Sequence, residues 1–283
     1  MSLQFVSWSR RGVGAGKTTG QVGSRRLVTT SVTVTANRQG QAAPSTVPAD
    51  SAPMAVLGPG DVEGVSSDQI VRRSPRPDSH NLEPNYLAVI EFAHPDLPWM
   101  FSPAQVAPGR DERLDPWLML AVVDRTVMQV SVRPGSPNPV LKLSGPAAVP
   151  SPADAWAWAH VQVHDADADG ARAAVRGDQP VAANIRSRLV CPTRLAPDHD
   201  YVAVLLPTYE AGRRVGLGDL EGDAGTAFWT PAGGLVLPVY DSWRFRTGPS
   251  SWRRCSPLFP LTHRRPSASS NSAQVRACLQ NRS

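Results

Sequence analysis

The 283-residue chain is long enough to bury the core of one large domain or two small ones, and its 28 prolines and 22 glycines favour many short elements joined by turns. Its formal net charge of +5 comes from its two ends, because residues 1–49 and 251–283 together hold twelve of the 29 basic residues and none of the 24 acidic ones. The residues between them are net acidic. This distribution argues against a nucleic-acid-binding protein, which needs its cations gathered on one face.

The order of β-rich and turn-rich stretches predicts a mainly β protein of mixed α+β type, with antiparallel sheets and a few short helices. Residues 36–54 form a polar link, and the turn-rich stretch 58–84 allows one short helix near 67–71. Segments of β-branched and aromatic residues predict strands at 3–8, 27–35, 86–92, 116–123, 201–206 and 235–245, with 127–132 as the hairpin partner of the strand before it.

A glycine-rich loop lies between the first two predicted strands. Its sequence, "RGVGAGKTTG" at 11–20, is similar to a phosphate-binding loop that ends in Lys17 and Thr18. The motif is incomplete, because Arg11 stands where its first glycine belongs. Such a loop also has to begin a helix whose amides hold the phosphates, whereas two later glycines and a strand follow here. We therefore predict no nucleotide or other cofactor at this loop.

The stretch "SPADAWAWAHVQVH" at 151–164 predicts a short helical turn that runs into a strand. Ser151 stands at the N-cap position and a proline follows it, after which polar and apolar residues alternate. His160 and His164 could share a zinc ion only on a helix, since on a strand they lie about 13 Å apart. The alternation favours the strand, so no metal site is predicted at this pair.

Acidic residues follow directly in "DADADG" at 165–170, which copies the first half of a calcium loop. The twelfth position of that loop should be a bidentate glutamate but is Arg176, so a solvated acidic turn is the better interpretation. A second helix is predicted at 180–189, entered through Asp178 and Pro180.

Three cysteines, Cys191, Cys255 and Cys278, are odd in number and form no C-x-x-C pair, which favours a reduced intracellular protein with Cys191 as a packed thiol. The first residues lack the apolar core of a signal peptide. The longest apolar run, "WLMLAVV" at 117–123, is too short to cross a bilayer. We therefore expect a cytoplasmic protein without a membrane span.

No complete catalytic motif occurs in the sequence, so no catalytic, cofactor-binding or metal-binding residue is predicted. An enzyme whose active site carries no known motif is the alternative, and it would draw on residues such as His160, His199, Glu210 and Asp241. The eight tryptophans, several of them beside prolines, suit either protein interfaces or anchors of the protein's own core.

Several long segments resemble, in the same order, a family of proteins encoded in bacterial gene clusters for phage-tail-like contractile injection systems. The matching segments are "FVSWSRRG" (5–12), "GPGDVEGVSSDQIVRRSPRP" (58–77), "NLEPNYLAVIEFAHPDLPWMFSPA" (81–104), "RLDPWLMLAVV" (113–123), "AWAWAHVQV" (155–163), "SRLVCPTRLAPDHDYVAVLLPTYEAGRRVGLG" (187–218) and "LPVYDSWRFRTGP" (237–249). The family carries no assigned activity, so no functional residue is transferred. The resemblance implies a non-enzymatic structural or assembly component that binds other proteins of the apparatus; the alternative is an enzyme or effector associated with such a system.

The resemblance ends near residue 249, where an acidic and apolar segment is expected but serine, arginine and proline follow. A frameshift or truncation in a GC-rich gene would produce that change, and a disordered basic tail is predicted for 250–283. The predicted organisation is an N-terminal β segment and linker at 1–54 that packs on a β-rich body at 55–249, followed by this tail.

Overall fold

Short β-strands dominate the structure, a computed structural model that describes residues 2–15, 18–29, 32–36, 45–49, 52–103, 114–164, 167–176, 184–219 and 225–249. The strands are β1 (Leu3–Val6), β2 (Thr18–Val22), β3 (Arg25–Val28), β4 (Val32–Ala36), β5 (Ser45–Ala49), β6 (Met54–Val56), β7 (Ile70–Ser74), β8 (Ser79–Leu82), β9 (Val89–Phe92), β10 (Leu118–Asp124), β11 (Val130–Ser131), β12 (Val140–Lys142), β13 (Ala159–His164), β14 (Ile185–Val190), β15 (Asp200–Pro207), β16 (Val236–Pro238) and β17 (Asp241–Thr247). The helices are α1 (Ala168–Arg176) and α2 (Glu210–Gly216), with 3-10 turns at Gly12–Ala15, Pro59–Asp61, Ser67–Gln69, Leu97–Trp99 and Pro152–Trp158. The predicted mainly β fold with antiparallel sheets and a few short helices is confirmed.

A four-stranded sheet in the order β10-β15-β17-β8 forms the central layer, and β17 and β8 are its parallel pair. Nearly unbroken apolar runs form β10 and β15. Neighbouring residues of β10, such as Leu120 and Ala121, enter two separate hydrophobic cores on opposite faces of this sheet. A continuous apolar run is typical of a strand that is buried on both faces, which explains the composition of these two strands.

Two further sheets cover the central sheet. A five-stranded sheet in the order β1-β13-β14-β9-β7 contributes inward side chains such as Ile90, Val161 and Leu189 to the first core. A three-stranded sheet in the order β11-β12-β16 contributes Leu141 and Leu237 to the second core. The described residues of the unit Met1–Pro249 thus form three layers of sheet around two cores.

The N-terminal strands are tied to these layers at two places. β1 pairs with β13 at the edge of the five-stranded sheet, whereas β2, β3 and β6 form a small sheet of their own. The turn between β2 and β3 lies against the turn Pro59–Asp61, where Arg25 Nε donates to both carboxylate oxygens of Asp61 at 2.9 and 3.0 Å. The proposed boundary between residues 54 and 55 stays a prediction.

The glycine-rich loop does not begin a helix. A 3-10 turn at Gly12–Ala15 is followed by β2 (Thr18–Val22), so the backbone lacks the helical N-terminus that a phosphate-binding loop requires. Lys17 itself lies outside the described residues.

The predicted helix at 180–189 is wrong where the structure describes it. Residues Ile185–Val190 form β14, in which Ile185 and Leu189 are buried while Arg186 and Arg188 lie on the opposite face. Buried and solvent-facing side chains alternate with a period of two, which is the period of a strand and not of a helix. A helix does form nearby, α1 (Ala168–Arg176), and its first three residues fall in the stretch 165–170 that the sequence predicts as an acidic turn.

Three strand predictions also required correction, and one of them, the strand at 235–245, divides into β16 and β17, which belong to different sheets. The segment 127–132 does not pair with β10, because Val127 and Met128 donate to the Asp124 carbonyl at 3.1 and 2.9 Å and turn the chain towards β12. The predicted strand 27–35 divides into β3 and β4, which belong to different sheets. Strand propensity reports neither the partner nor the sheet of a segment.

The turn-to-strand transition at 151–164 is confirmed, since the 3-10 turn Pro152–Trp158 leads directly into β13. Ser151 stands at the N-cap position, although its side chain makes no capping hydrogen bond. In the part of the chain that the structure describes, no helix is both long and apolar enough to cross a membrane. The predicted tail at 250–283 lies outside the described residues.

Candidate functional site

The strand register gathers nine side chains on the outward side of the five-stranded sheet. Phe5 on β1 and Arg186 on β14 both lie opposite Gln162 on β13, and Arg188 lies opposite His160. Residues directly opposite each other in antiparallel strands share a face of the sheet. We call this surface the outer face; its residues are Leu3, Phe5, Arg72, Glu91, His160, Gln162, His164, Arg186 and Arg188.

Large apolar side chains of the outer face are open to solvent at its β1 edge. Phe5 is 59% exposed and Leu3 is 43% exposed, and the Phe5 ring meets the His160 ring edge-on with 5.1 Å between the ring centroids. Trp158, just before β13, is 37% exposed. Exposed aromatic rings beside arginines are the composition that is enriched in protein interfaces.

An ion-pair row crosses the outer face. Arg188 Nη2 lies 2.5 Å from Glu91 Oε1, and Arg72 Nη1 approaches the same oxygen at 3.9 Å. The pKa of His160 is lowered by its burial and then by the positive charge of Arg188, against a smaller opposing effect of Glu91. With His160 neutral, the charged side chains of the outer face are those of three arginines and one glutamate.

Three buried polar atoms of the outer face have no hydrogen-bond partner among the described residues. These atoms are His160 Nε2, Gln162 Oε1 and Arg188 Nε. Gln162 is only 3% exposed, and its amide nitrogen donates to His164 Nε2 at 2.6 Å, so its oxygen is left without a donor. Buried polar atoms in native proteins are usually paired, and leaving one unpaired costs about 1–3 kcal/mol. These three atoms lie on the adjacent strands β13 and β14.

The two histidines of the 151–164 stretch lie on a strand, as their alternation predicts. Both belong to β13, where His160 contacts Phe5 and His164 accepts from Gln162. Across the described ranges, no group of three or more histidine, cysteine, aspartate or glutamate residues could hold a metal ion. In the acidic stretch, Asp167 Oδ1 accepts a hydrogen bond from Gly170 N at 2.7 Å in the first turn of α1.

The four residues named for an alternative active site have separate surroundings. His160 belongs to the outer face, whereas exposed His199 stacks on Tyr201 with centroids 6.2 Å apart. Glu210 pairs with Arg213 on α2, and Asp241 pairs with Arg73. The structure does not bring these four side chains together.

Buried arginines next to the glycine-rich loop were not identified from the sequence. Arg10 is 7% exposed and donates from Nη2 to the carbonyls of Trp99 at 3.1 Å and Ser102 at 2.7 Å. Arg26 is 3% exposed and donates to the Gly14 carbonyl. Burial, followed by repulsion from Arg26, lowers the pKa of Arg10 to about 9. These two arginines thus hold backbone segments together. This structural role explains some of the basic residues in the N-terminal segment.

Cys191 and four of the tryptophans are buried, whereas two tryptophans are exposed. Cys191 is fully buried, and that burial raises the pKa of its thiol, so the predicted packed thiol is confirmed. Trp99, Trp117, Trp229 and Trp243 are buried core anchors, whereas Trp156 and Trp158 are exposed by 36% and 37%.

The arginines of the outer face could have been found from sequence. Arg186 and Arg188 alternate with Ile185, Ser187 and Leu189, which is the period of a strand with one polar face.

The chain matches no protein-family profile, no curated protein and no solved structure.

Proposed function

We propose that this chain is a non-enzymatic structural or assembly component of a phage-tail-like contractile injection apparatus, and that it acts by binding other proteins of that apparatus. Two independent features support the proposal. One is the ordered resemblance of long segments between residues 5 and 249 to proteins encoded in such gene clusters. The other is the outer face of the five-stranded sheet.

The observation that carries the proposal is the exposed Phe5 ring on the same sheet face as Arg186 and Arg188. His160 Nε2, Gln162 Oε1 and Arg188 Nε lie on the two strands next to β1, which holds Phe5. A partner that covers the outer face would bury the exposed Phe5 ring and leave the arginines at the edge of the contact. Aromatic anchors surrounded by satisfied polar groups account for most of the binding energy in many protein complexes.

The charge of the outer face defines the partner surface further. The outer face has three arginines and a single acidic residue, Glu91. Arg188 and Arg72 both pair with the Glu91 carboxylate. An excess of positive charge favours a partner surface with exposed carboxylates next to an apolar patch. We therefore expect the complex to weaken as the salt concentration rises.

Affinity purification from a host that carries the whole gene cluster tests the proposal, with mass spectrometry of the recovered proteins. Unmodified chain should recover sheath, tube or baseplate components, and Phe5→Asp should lose them because it places a charge in the contact. Val132→Asp is the matched control, since Val132 is 87% exposed and lies outside the outer face.

The same purification can contradict the proposal. Recovery of the chain without any apparatus protein would refute the assembly role. Equal recovery with Phe5→Asp and with the unmodified chain would show that the outer face is not the contact surface. Melting temperatures of both variants should match the unmodified protein, because both positions are exposed.

A further inference from the structure

A second surface feature lies over the central sheet and shares no residue with the outer face. It is a cavity of about 600 Å³, within the size range of small-molecule sites. Four segments line it: β7 with the turn after it, the loop between β10 and β11 with the start of β11, β15, and β17. Its lining residues are Arg73, Pro77, Asp78, Arg125, Met128, Gln129, Val130, Val202, Asp241, Ser242, Trp243 and Arg244.

Backbone hydrogen bonds fix the walls of this cavity. Asp78 N donates to the Arg244 carbonyl at 2.7 Å, which fastens the turn after β7 to β17. Arg125 N donates to the Asp200 carbonyl at 3.0 Å, and Met128 N donates to the Asp124 carbonyl at 2.9 Å. The backbone of the cavity walls is thus held in place in the free protein, which lowers the entropic cost of binding.

The cavity wall carries three arginines and two aspartates, Asp78 and Asp241, which gives a net charge of +1. Arg73 is neutralised by Asp241, with two hydrogen bonds of 2.8 Å. Within the described ranges, no carboxylate lies within ion-pair distance of the side chain of Arg125 or Arg244, and both residues are exposed. Guanidinium groups bind carboxylates through paired hydrogen bonds, so these two arginines suit an anionic group.

Apolar side chains line the same cavity beside the arginines. Met128 and Val202 belong to the second core and are 5% and 6% exposed, and Val130 is partly buried. The cavity therefore has a mainly polar lining with an apolar strip beside it.

We propose that this cavity binds an organic carboxylate with an apolar body. Arg125 and Arg244 hold the carboxylate, and the apolar body packs against Met128 and Val202. The carboxylate belongs either to a free small molecule or to an acidic side chain of another protein, since the cavity chemistry is the same for both. The inference does not rest on the assembly role, because no residue of the outer face takes part.

Methyl NMR of the full chain, labelled with ¹³C at its methionine methyl groups, tests this site. The first probe is 4-phenylbutyrate, and 4-phenylbutyramide is its uncharged match. The second probe is an acetylated peptide with glutamate beside leucine, and its glutamine counterpart is the match. The Met128 signal, assigned with Met128→Leu, should shift in a saturable manner with a carboxylate probe. The uncharged match should bind about tenfold or more weakly.

Arg125→Gln combined with Arg244→Gln should weaken binding of the carboxylate probe by about tenfold or more. Arg133→Gln combined with Arg194→Gln is the matched control, because it removes the same charge from two exposed residues that do not line the cavity. Binding of phenylbutyrate alone assigns the site to a free small molecule, and tighter binding of the glutamate peptide assigns it to an acidic segment of a protein. An unshifted Met128 signal with both carboxylate probes overturns the proposal, as does equal binding by the arginine double variant.

Discussion

Arg73 and Asp241 connect two layers of the fold through a bidentate ion pair. Arg73 lies on β7 at the edge of the five-stranded sheet, and Asp241 begins β17 in the central sheet. Arg73 Nε and Nη2 donate to the two carboxylate oxygens, both at 2.8 Å, and these bonds raise the pKa of Arg73. Their side chains are 25% and 15% exposed, so water screens the pair only partly.

A double-mutant cycle with Arg73→Ala and Asp241→Ala should give a coupling energy of about 1–2 kcal/mol in urea unfolding, because the pair is bidentate and partly buried. The pair between Arg172 and Asp169 is the control, since its side chains are 67% and 94% exposed. Its coupling should be close to zero. Equal couplings for both pairs would show that the inter-layer pair has no special role in stability.

Gly58 is required by the close contact between the N-terminal strands and the body. A Cβ at this position would lie 2.0 Å from the backbone oxygen of Ser24, so a larger residue must push one segment away. We expect Gly58→Ala to lower the free energy of unfolding by about 3 kcal/mol.

Gly145→Ala is the matched control for this substitution, because a Cβ at Gly145 would meet no atom within 4 Å. It should leave the urea midpoint almost unchanged. A midpoint for Gly58→Ala equal to that of the control would mean that the contact between Gly58 and Ser24 is not maintained in solution.

Strongly patterned segments made much of this fold predictable. The apolar runs at 117–123 and 201–206 form β10 and β15 of the central sheet, because a strand that is buried on both faces has a continuous apolar sequence. The helix α1 was missed because it begins inside the stretch 165–170, whose aspartates and glycine favour a turn, and because it buries only the small Ala171 and Val175 in the first core. Its strong turn residues dominated the interpretation instead.

The outer face was much less predictable than the strands that form it. Phe5 and Gln162 come together through a pairing between β1 and β13, which lie far apart in sequence. Local periodicity predicts that a strand has a polar face, but it does not tell which distant strand lies beside it. The cavity near Arg125 was equally hard to predict, since its walls come from four segments that lie apart in sequence.

Tyr240 should make the protein lose stability at alkaline pH. Burial raises the pKa of Tyr240 above its ordinary value of 10.0, and its hydroxyl donates to the Gly212 carbonyl at 3.1 Å. An unfolded chain therefore releases this proton at lower pH than the folded protein does. The stabilising contribution is complete below pH 10 and falls as the pH rises above it.

Tyr240→Phe should cost about 1 kcal/mol at neutral pH through the lost hydrogen bond, and it should reduce the decline of stability above pH 10. Urea unfolding at a series of pH values between neutral and alkaline measures both effects. Tyr86→Phe serves as the control, because Tyr86 is 62% exposed. An unchanged alkaline slope in Tyr240→Phe would contradict the role assigned to this hydroxyl.

Cys191 should be unreactive in the folded protein. It is fully buried in the first core, and burial raises the pKa of its thiol, so little of the reactive thiolate forms at neutral pH. In a chain that carries Cys255→Ser and Cys278→Ser, Ellman's reagent should react with no thiol until urea unfolds the protein, and then with one. The rate of modification at increasing urea should follow the unfolding transition. Fast reaction without urea would mean that the first core opens readily around Cys191, which its packing between two sheets does not allow.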